Sequence, residues 1–208
     1  MKKVYYPKIH ETTVIILHGL NQNVYEIDDM INLINCDNIK WVILQSKNNS
    51  WYQYYTQRDN HNRHDKINYN QFKSSCDYLI KTINHELKYA SPSNLYLIGI
   101  SQGGTICINV AINLKYTLGG IICIDTIFLS DYMSDISFLQ QTFYALISSK
   151  DIIYNPNFQI ICYDFIRFLG NKIHITKRNK HHCEDKIEIC NYICNILQKN
   201  KLLKNLNV

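Results

Sequence analysis

At 208 residues the chain is long enough to bury one sizeable core and too short for two ordinary enzyme domains with a linker, so one domain spanning 1–208 is expected. A hydrophobic fraction of 46%, with three Pro and seven Gly, excludes a disordered chain, a collagen-like repeat or a linker-rich array. Lys+Arg 22 against Asp+Glu 17 leaves +5, scattered along the chain, which is a weak footprint for nucleic acid; no nucleic-acid partner is expected. The eight cysteines sit mostly within apolar runs such as 106–108 and 122–124, with no CxxC pair and no leading signal segment. They read as reduced, buried thiols of a cytoplasmic protein.

Residues 14–17 and 41–44 are short apolar runs rich in β-branched side chains, followed by similar runs at 95–100, 121–124 and 144–147. Such runs predict strands buried on both faces. Helical spacing separates them. Ile27, Met30, Ile31 and Ile34 fall at i, i+3, i+4 and i+7, and Phe72, Cys76, Leu79, Ile80, Ile83 and Leu87 keep one face over four turns. Phe158, Ile161, Cys162, Phe165 and Leu169 predict a further helix closed by Gly170, 173–175 a sixth strand, and Ile187, Cys190, Ile193, Cys194 and Leu197 a last helix. Glu184 and Asp185 precede that helix and Lys199 and Lys201 end it, as its dipole favours. Alternating strands and amphipathic helices imply an α/β fold, a mostly parallel central sheet with helices on both faces. Residues 95–114 carry no charge, but Gly99, Ser101, Gly103, Gly104, Asn109 and Asn113 interrupt them, which suits strand, turn and helix rather than a membrane span. The polar, aromatic stretch 47–70 is the longest predicted loop. It follows the carboxyl end of a strand, where ligands bind in open parallel sheets, and is expected to form a rim or lid.

Ile98-Gly99-Ile100-Ser101-Gln102-Gly103-Gly104 is G-x-S-x-G at the junction of an apolar strand and a helical run, the context of a nucleophile elbow. The turn exposes Ser101 and requires small residues two before and two after it, positions filled by Gly99 and Gly103. The amide of Gln102 would then face a substrate oxygen from the helix N-terminus. His18-Gly19-Leu20-Asn21 ends the first strand where the second oxyanion donor is needed, so the Leu20 amide is the candidate partner; His18 reads as structural.

Serine needs a general base, and the base an acid that fixes its tautomer. In the order Ser, Asp, His of α/β-hydrolases, Asp151 follows the strand 144–147 and is the candidate acid; Asp125, one strand earlier, is a less favoured alternative that also suits a loop or cap carboxylate. His181 and His182 compete as base, with His182, next to the final helix, preferred.

These segments resemble the acyl-protein thioesterase, lysophospholipase and carboxylesterase family of serine α/β-hydrolases. Leu17-His18-Gly19-Leu20 is similar to its first-strand HGL motif, Ser50-Trp51-Tyr52 to its S-W-[FY] segment, and 98–104 to its GFSQGG elbow with Ile100 for Phe. Residues 118–122, Lys150-Asp151-Ile152-Ile153 and His182-Cys183-Glu184 follow in the family's order. The resemblance implies an α/β-hydrolase fold, Ser101, Asp151 and His182 as triad, Leu20 and Gln102 as oxyanion donors, and no cofactor. Trp51 and Tyr52 are candidates for substrate binding. The sequence departs from the family's G-[ML]-G-H at Arg178-Asn179-Lys180-His181-His182, from its Gly-Asp at Asn21-Gln22, and after Trp51-Tyr52 at Gln53.

A metal site built from His181, His182, Cys183, Cys190 and Cys194 lacks zinc-type spacing, and none is expected. Stacking on Trp51, Tyr52, Tyr54 and Tyr55 with Arg58 and Arg63 would suit nucleic acid, but the charge footprint is too weak. The expected activity is therefore hydrolysis of a carboxylic ester or thioester, of a small molecule, a lipid or an acylated protein, through an acyl-enzyme on Ser101. The alternative is a silent hydrolase fold that binds an acyl ligand or partner. Acyl length, leaving group and oligomeric state are left open.

Overall fold

The computed structural model describes residues 2–54 other than 35 and 37, 67–130 and 139–205, without the side chains from 200 onward. Half of the predicted lid, 55–66, including Tyr55, Arg58 and Arg63, lies outside the described residues.

The strands β1 (Lys2–Tyr5), β2 (Thr12–Leu17), β3 (Ile39–Leu44), β4 (Leu95–Ile100), β5 (Gly120–Ile124), β6 (Thr142–Ser148) and β7 (Lys172–Arg178) form one sheet in the order β1-β3-β2-β4-β5-β6-β7. All pairs are parallel except β1 with β3. The helices α1 (Val24–Leu33) and α5 (Lys186–Asn205) pack on one face. The opposite face carries α2 (Tyr69–Glu86), α3 (Gln102–Ala111) and α4 (Pro156–Phe168). Because both faces are covered, β2, β3, β4 and β5 are almost wholly buried, which is why they read as unbroken apolar runs rather than as alternation.

The sequence-predicted strands and helices all occur, and two departures have physical causes. The edge strand β1 has only Val4 as an aliphatic residue and joins the sheet by antiparallel pairing, Val4 opposite Val42. Strand β3 begins two residues earlier than its apolar run because Lys40, though charged, is buried against Glu86 of α2 with Nζ 2.6 Å from the carboxylate. No helix among the described residues is long and apolar enough to cross a membrane.

Reversal of strand order around β2 opens a crevice at the strands' carboxyl ends, and β4 delivers Ser101 there. The β4–α3 turn demands close approach. A Cβ on Gly99 would lie 2.3 Å from Gly104 Cα, and one on Gly103 2.5 Å from the His18 carbonyl oxygen. Gly99→Ala is accordingly expected to destabilise by at least about 1–3 kcal/mol, because backbone and not a flexible side chain must yield. Thermal unfolding of the variant measures this, and an unchanged Tm would contradict the packing described.

Candidate active site

Ser101 occupies a sharp turn with φ 49° and ψ −117°, a left-handed conformation that a non-glycine residue adopts only when its surroundings impose it. Those surroundings are explicit. Its N–H donates to the Ile124 carbonyl at 2.8 Å and its own carbonyl accepts from Thr126 Oγ1 at 2.7 Å, tying the elbow to β5 and the loop after it.

Ser101 Oγ stands 2.8 Å from His182 Nε2, and His182 Nδ1 stands 2.7 Å from Asp151 Oδ2. A carboxylate oxygen can only accept, so Nδ1 carries the proton and Nε2 is left to accept from the serine hydroxyl. The Asp151 carboxylate is itself fixed. Asp151 Oδ1 accepts from the amides of Ile153 and Tyr154 at 2.7 and 2.9 Å, and Oδ2 also accepts from Gln159 Nε2 at 3.0 Å. This fold back onto the residues just after it places Asp151 beyond β6, whereas its rival Asp125 faces Arg178 at the end of β7. His181 is exposed and turns its ring towards the Lys150 carbonyl, 3.2 Å from Nδ1, away from the serine.

The loop after β2 is held by side chains rather than by glycines. His18 is fully buried between the Gly19 carbonyl, 2.7 Å from Nδ1, and the Ser46 amide, 3.1 Å from Nε2. Burial lowers its pKa, consistent with a neutral ring that donates on one side and accepts on the other. Gln22 Oε1 accepts from the Gly19 amide, and the Asn49 carbonyl from that of Asn21, whose φ is 63°. Leu20 sits between these anchors and lines the crevice opposite Gln102, whose amide opens the first turn of α3 and has no acceptor within its own helix.

Trp51 and Tyr52 are only 2% and 1% exposed and turn into the core. Trp51 Nε1 donates to the His18 carbonyl at 2.7 Å. The Gln102 side chain accepts from the Trp51 amide at 2.8 Å and donates to the Tyr52 carbonyl at 2.7 Å, clamping this segment to the elbow. From the same segment it is Tyr54 that reaches the cavity, with its hydroxyl 2.8 Å from that of Tyr154.

The cavity has a volume of ≈ 220 Å³, and Ser101, Gln102 and His182 are in its wall with Gly19, Leu20 and Tyr154. Asn21, Gln22, Ile153 and Cys183 also line it; the sequence places them in segments next to the candidate residues without giving them a substrate contact. Burial and the neighbouring Asp125 and Asp151 carboxylates raise the pKa of the Cys183 thiol well above the ordinary range, which disfavours its thiolate.

Among the described residues, Asp125, His182 and Cys183 bring potential metal ligands within 4.8 Å of one another. The donor set does not suit a cation. Asp125 is already paired with Arg178 and both His182 nitrogens are engaged. The other sequence candidates for a metal are not gathered with them: Cys190 Sγ faces the Met30 carbonyl and Cys194 Sγ lies 3.2 Å from Cys36 Sγ. Four thiols, Cys36, Cys76, Cys183 and Cys194, are partly rather than fully buried, though each packs against the apolar core as the sequence setting implies.

Residues 4–189 match the family model described as Phospholipase/Carboxylesterase. The chain belongs to the phospholipase/carboxylesterase family. That match spans every residue of the site just described. No curated protein matches the sequence. Solved structures that share the fold include SOBER1 of Arabidopsis thaliana, at 15% identity and TM-score 0.77 over 91% of this chain and 98% of that one. Acyl-protein thioesterase 2 of Zea mays is similar at 14% identity and TM-score 0.69, covering 95% and 99% of the two chains. A Bacillus cereus carboxylesterase is similar at 12% identity and TM-score 0.79, covering 96% and 93%. This phospholipase/carboxylesterase-family chain thus shares the α/β-hydrolase fold with esterases and a thioesterase across nearly its whole length.

Proposed function

We propose that the protein is a serine hydrolase that cleaves carboxylic esters or thioesters through an acyl-enzyme on Ser101. The observation that carries this reading is the unbroken chain Ser101 Oγ, His182, Asp151, with contacts of 2.8 and 2.7 Å, opening into a cavity. As Ser101 Oγ attacks the acyl carbonyl carbon, its proton passes to His182 Nε2, and the Asp151 carboxylate stabilises the imidazolium. The carbonyl oxygen gains the charge, and the amides of Leu20 and Gln102 receive it; one such donor is worth roughly 3 kcal/mol. Collapse of the adduct hands the His182 proton to the departing alcohol or thiol. Water, deprotonated by His182, then attacks the acyl-serine carbonyl; as the acyl–Oγ bond breaks, His182 returns the proton to Ser101 Oγ and the acid is released.

Trp51 and Tyr52 contribute from behind the wall, anchoring in the core the segment whose backbone Gln102 grips, and Tyr54 meets the substrate in their place. The cavity is smaller than the roughly 300–1,000 Å³ of sites for drug-sized ligands, and the paired Tyr54 and Tyr154 hydroxyls make part of its wall polar. Short acyl groups suit it. In a p-nitrophenyl ester panel, kcat/KM is expected to be at least about tenfold higher for acetate or butyrate than for laurate, an expectation resting on about 1 kcal/mol or more lost where methylenes cannot be buried. A preference for the long chain would contradict the short-acyl assignment, and absence of turnover on every ester and thioester tested would contradict the hydrolase assignment.

A further inference from the structure

Behind the histidine stands a second carboxylate that the proposed reaction does not use. Asp125 directly follows β5 at φ 43°, is fully buried, and accepts on both oxygens: Oδ1 from the Ser148 amide at 2.7 Å, Oδ2 from Ser148 Oγ at 2.8 Å, Arg178 Nη2 at 3.0 Å and the Cys183 amide at 2.8 Å. Arg178, at the end of β7, extends three arms. Nη2 meets Asp125, Nε donates to Ser148 Oγ at 2.9 Å, and Nη1 donates to the Glu184 carbonyl at 2.6 Å.

The two ends of this pair grip the residues immediately after His182, Cys183 by its amide and Glu184 by its carbonyl. Cys183 has φ 50°, a conformation a cysteine adopts only under constraint. The sequence 178–182 has no glycine to ease such a turn, and Arg178 stands at its start. We propose that Asp125 and Arg178 form a charge-balanced latch whose function is to hold His182 in line with Ser101, both acting as positioning residues of the acyl-transfer site. The inference rests on the serine hydrolase reading above.

The pairing has an electrostatic purpose as well as a geometric one. An Asp125 oxygen lies within 4.8 Å of a His182 ring nitrogen. Among the described residues, the groups that face this imidazole are Asp151 from beyond β6, Asp125 from beyond β5, the Cys183 thiol, the Ser101 hydroxyl, and the Tyr154 ring, edge-on at 5.5 Å. Glu184 turns its carboxylate to the His181 amide, and Glu188 lies 3.7 Å from Arg178 Nη1. With Asp125 neutralised by Arg178, one uncompensated carboxylate, that of Asp151, addresses the ring.

The latch therefore makes a prediction of sign that a merely structural role does not. Arg178→Gln leaves the Asp125 charge unbalanced beside His182, favours the imidazolium, and is expected to move the acid limb of the kcat/KM–pH profile to higher pH. Asp125→Asn leaves the guanidinium unbalanced and is expected to move the limb to lower pH. Both should lower kcat for p-nitrophenyl acetate on the order of 10- to 100-fold with little change in KM, as a small displacement of His182 would. Thermal unfolding run beside the profiles identifies variants that do not fold. For those, Arg178→Lys keeps the charge but cannot span Asp125, Ser148 and Glu184, and is expected to lower kcat with the limb unmoved. Limbs that stay in place or shift together in folded Asp125→Asn and Arg178→Gln would overturn the latch, as would wild-type kcat in Arg178→Lys. A wild type that takes no fluorophosphonate label on Ser101 would instead remove the serine hydrolase reading, and the latch with it.

Discussion

Ser101→Ala is expected to lower kcat for ester hydrolysis by roughly 10⁴- to 10⁶-fold while leaving thermal unfolding close to that of the wild type. The size follows from the loss of the atom proposed to form the acyl-enzyme; removal of the serine from a comparable triad costs about 10⁶ in rate. Stability is spared because the elbow is held by the Ser101 backbone, through Ile124 and Thr126, while Oγ bonds to His182. Steady-state kinetics on a short p-nitrophenyl ester, with a melting curve on the same sample, check both halves. A variant with more than a few per cent of wild-type activity would remove Ser101 as nucleophile.

The second large effect separates two adjacent histidines. His182→Ala is expected to cost about as much as losing the serine, since nucleophile and base act as one unit and their losses do not add. His181→Ala should stay within a few-fold of wild type in kcat and within about 0.5 kcal/mol in stability, as for an ordinary exposed position. The geometry behind this contrast is simple. The His182 ring bridges Ser101 and Asp151, and the His181 ring lies on the surface against the Lys150 carbonyl. The reverse ranking would move the base by one residue and break the proposed chain of proton transfer.

Much of this candidate site is legible in the sequence because the proposed chemistry demands particular residues at particular strand ends. Gly99 and Gly103 flank Ser101 because backbone of the neighbouring elements occupies the space a Cβ would need. Asp151 follows β6, and His182 precedes α5, in the chain order expected of an α/β-hydrolase. What the sequence hides is whatever depends on long-range pairing. Lys40 looks solvent-bound until Glu86, forty-six residues on, is seen to bury it. Lys2–Tyr5 has no apolar alternation to announce a strand, because its stability comes from the edge of β3. Arg178 reads as one cation in a basic run, yet its side chain is 2% exposed and paired with Asp125, fifty-three positions away. Trp51 and Tyr52 carry the aromatic surface that suggests substrate contact, and only the fold reveals that their faces point inwards while their backbones serve the elbow.

The central claim, that Ser101 is a nucleophile activated by His182 and Asp151, is most directly tested by covalent labelling. Purified protein is exposed to a fluorophosphonate probe and read by intact mass and peptide mapping, beside Ser101→Ala and His182→Ala. The account predicts a single adduct on Ser101 in the wild type, none in Ser101→Ala, and labelling slowed by orders of magnitude in His182→Ala. Folded wild-type protein that takes no adduct, or takes it on another residue, would contradict the account and favour a silent hydrolase fold that binds an acyl ligand or partner.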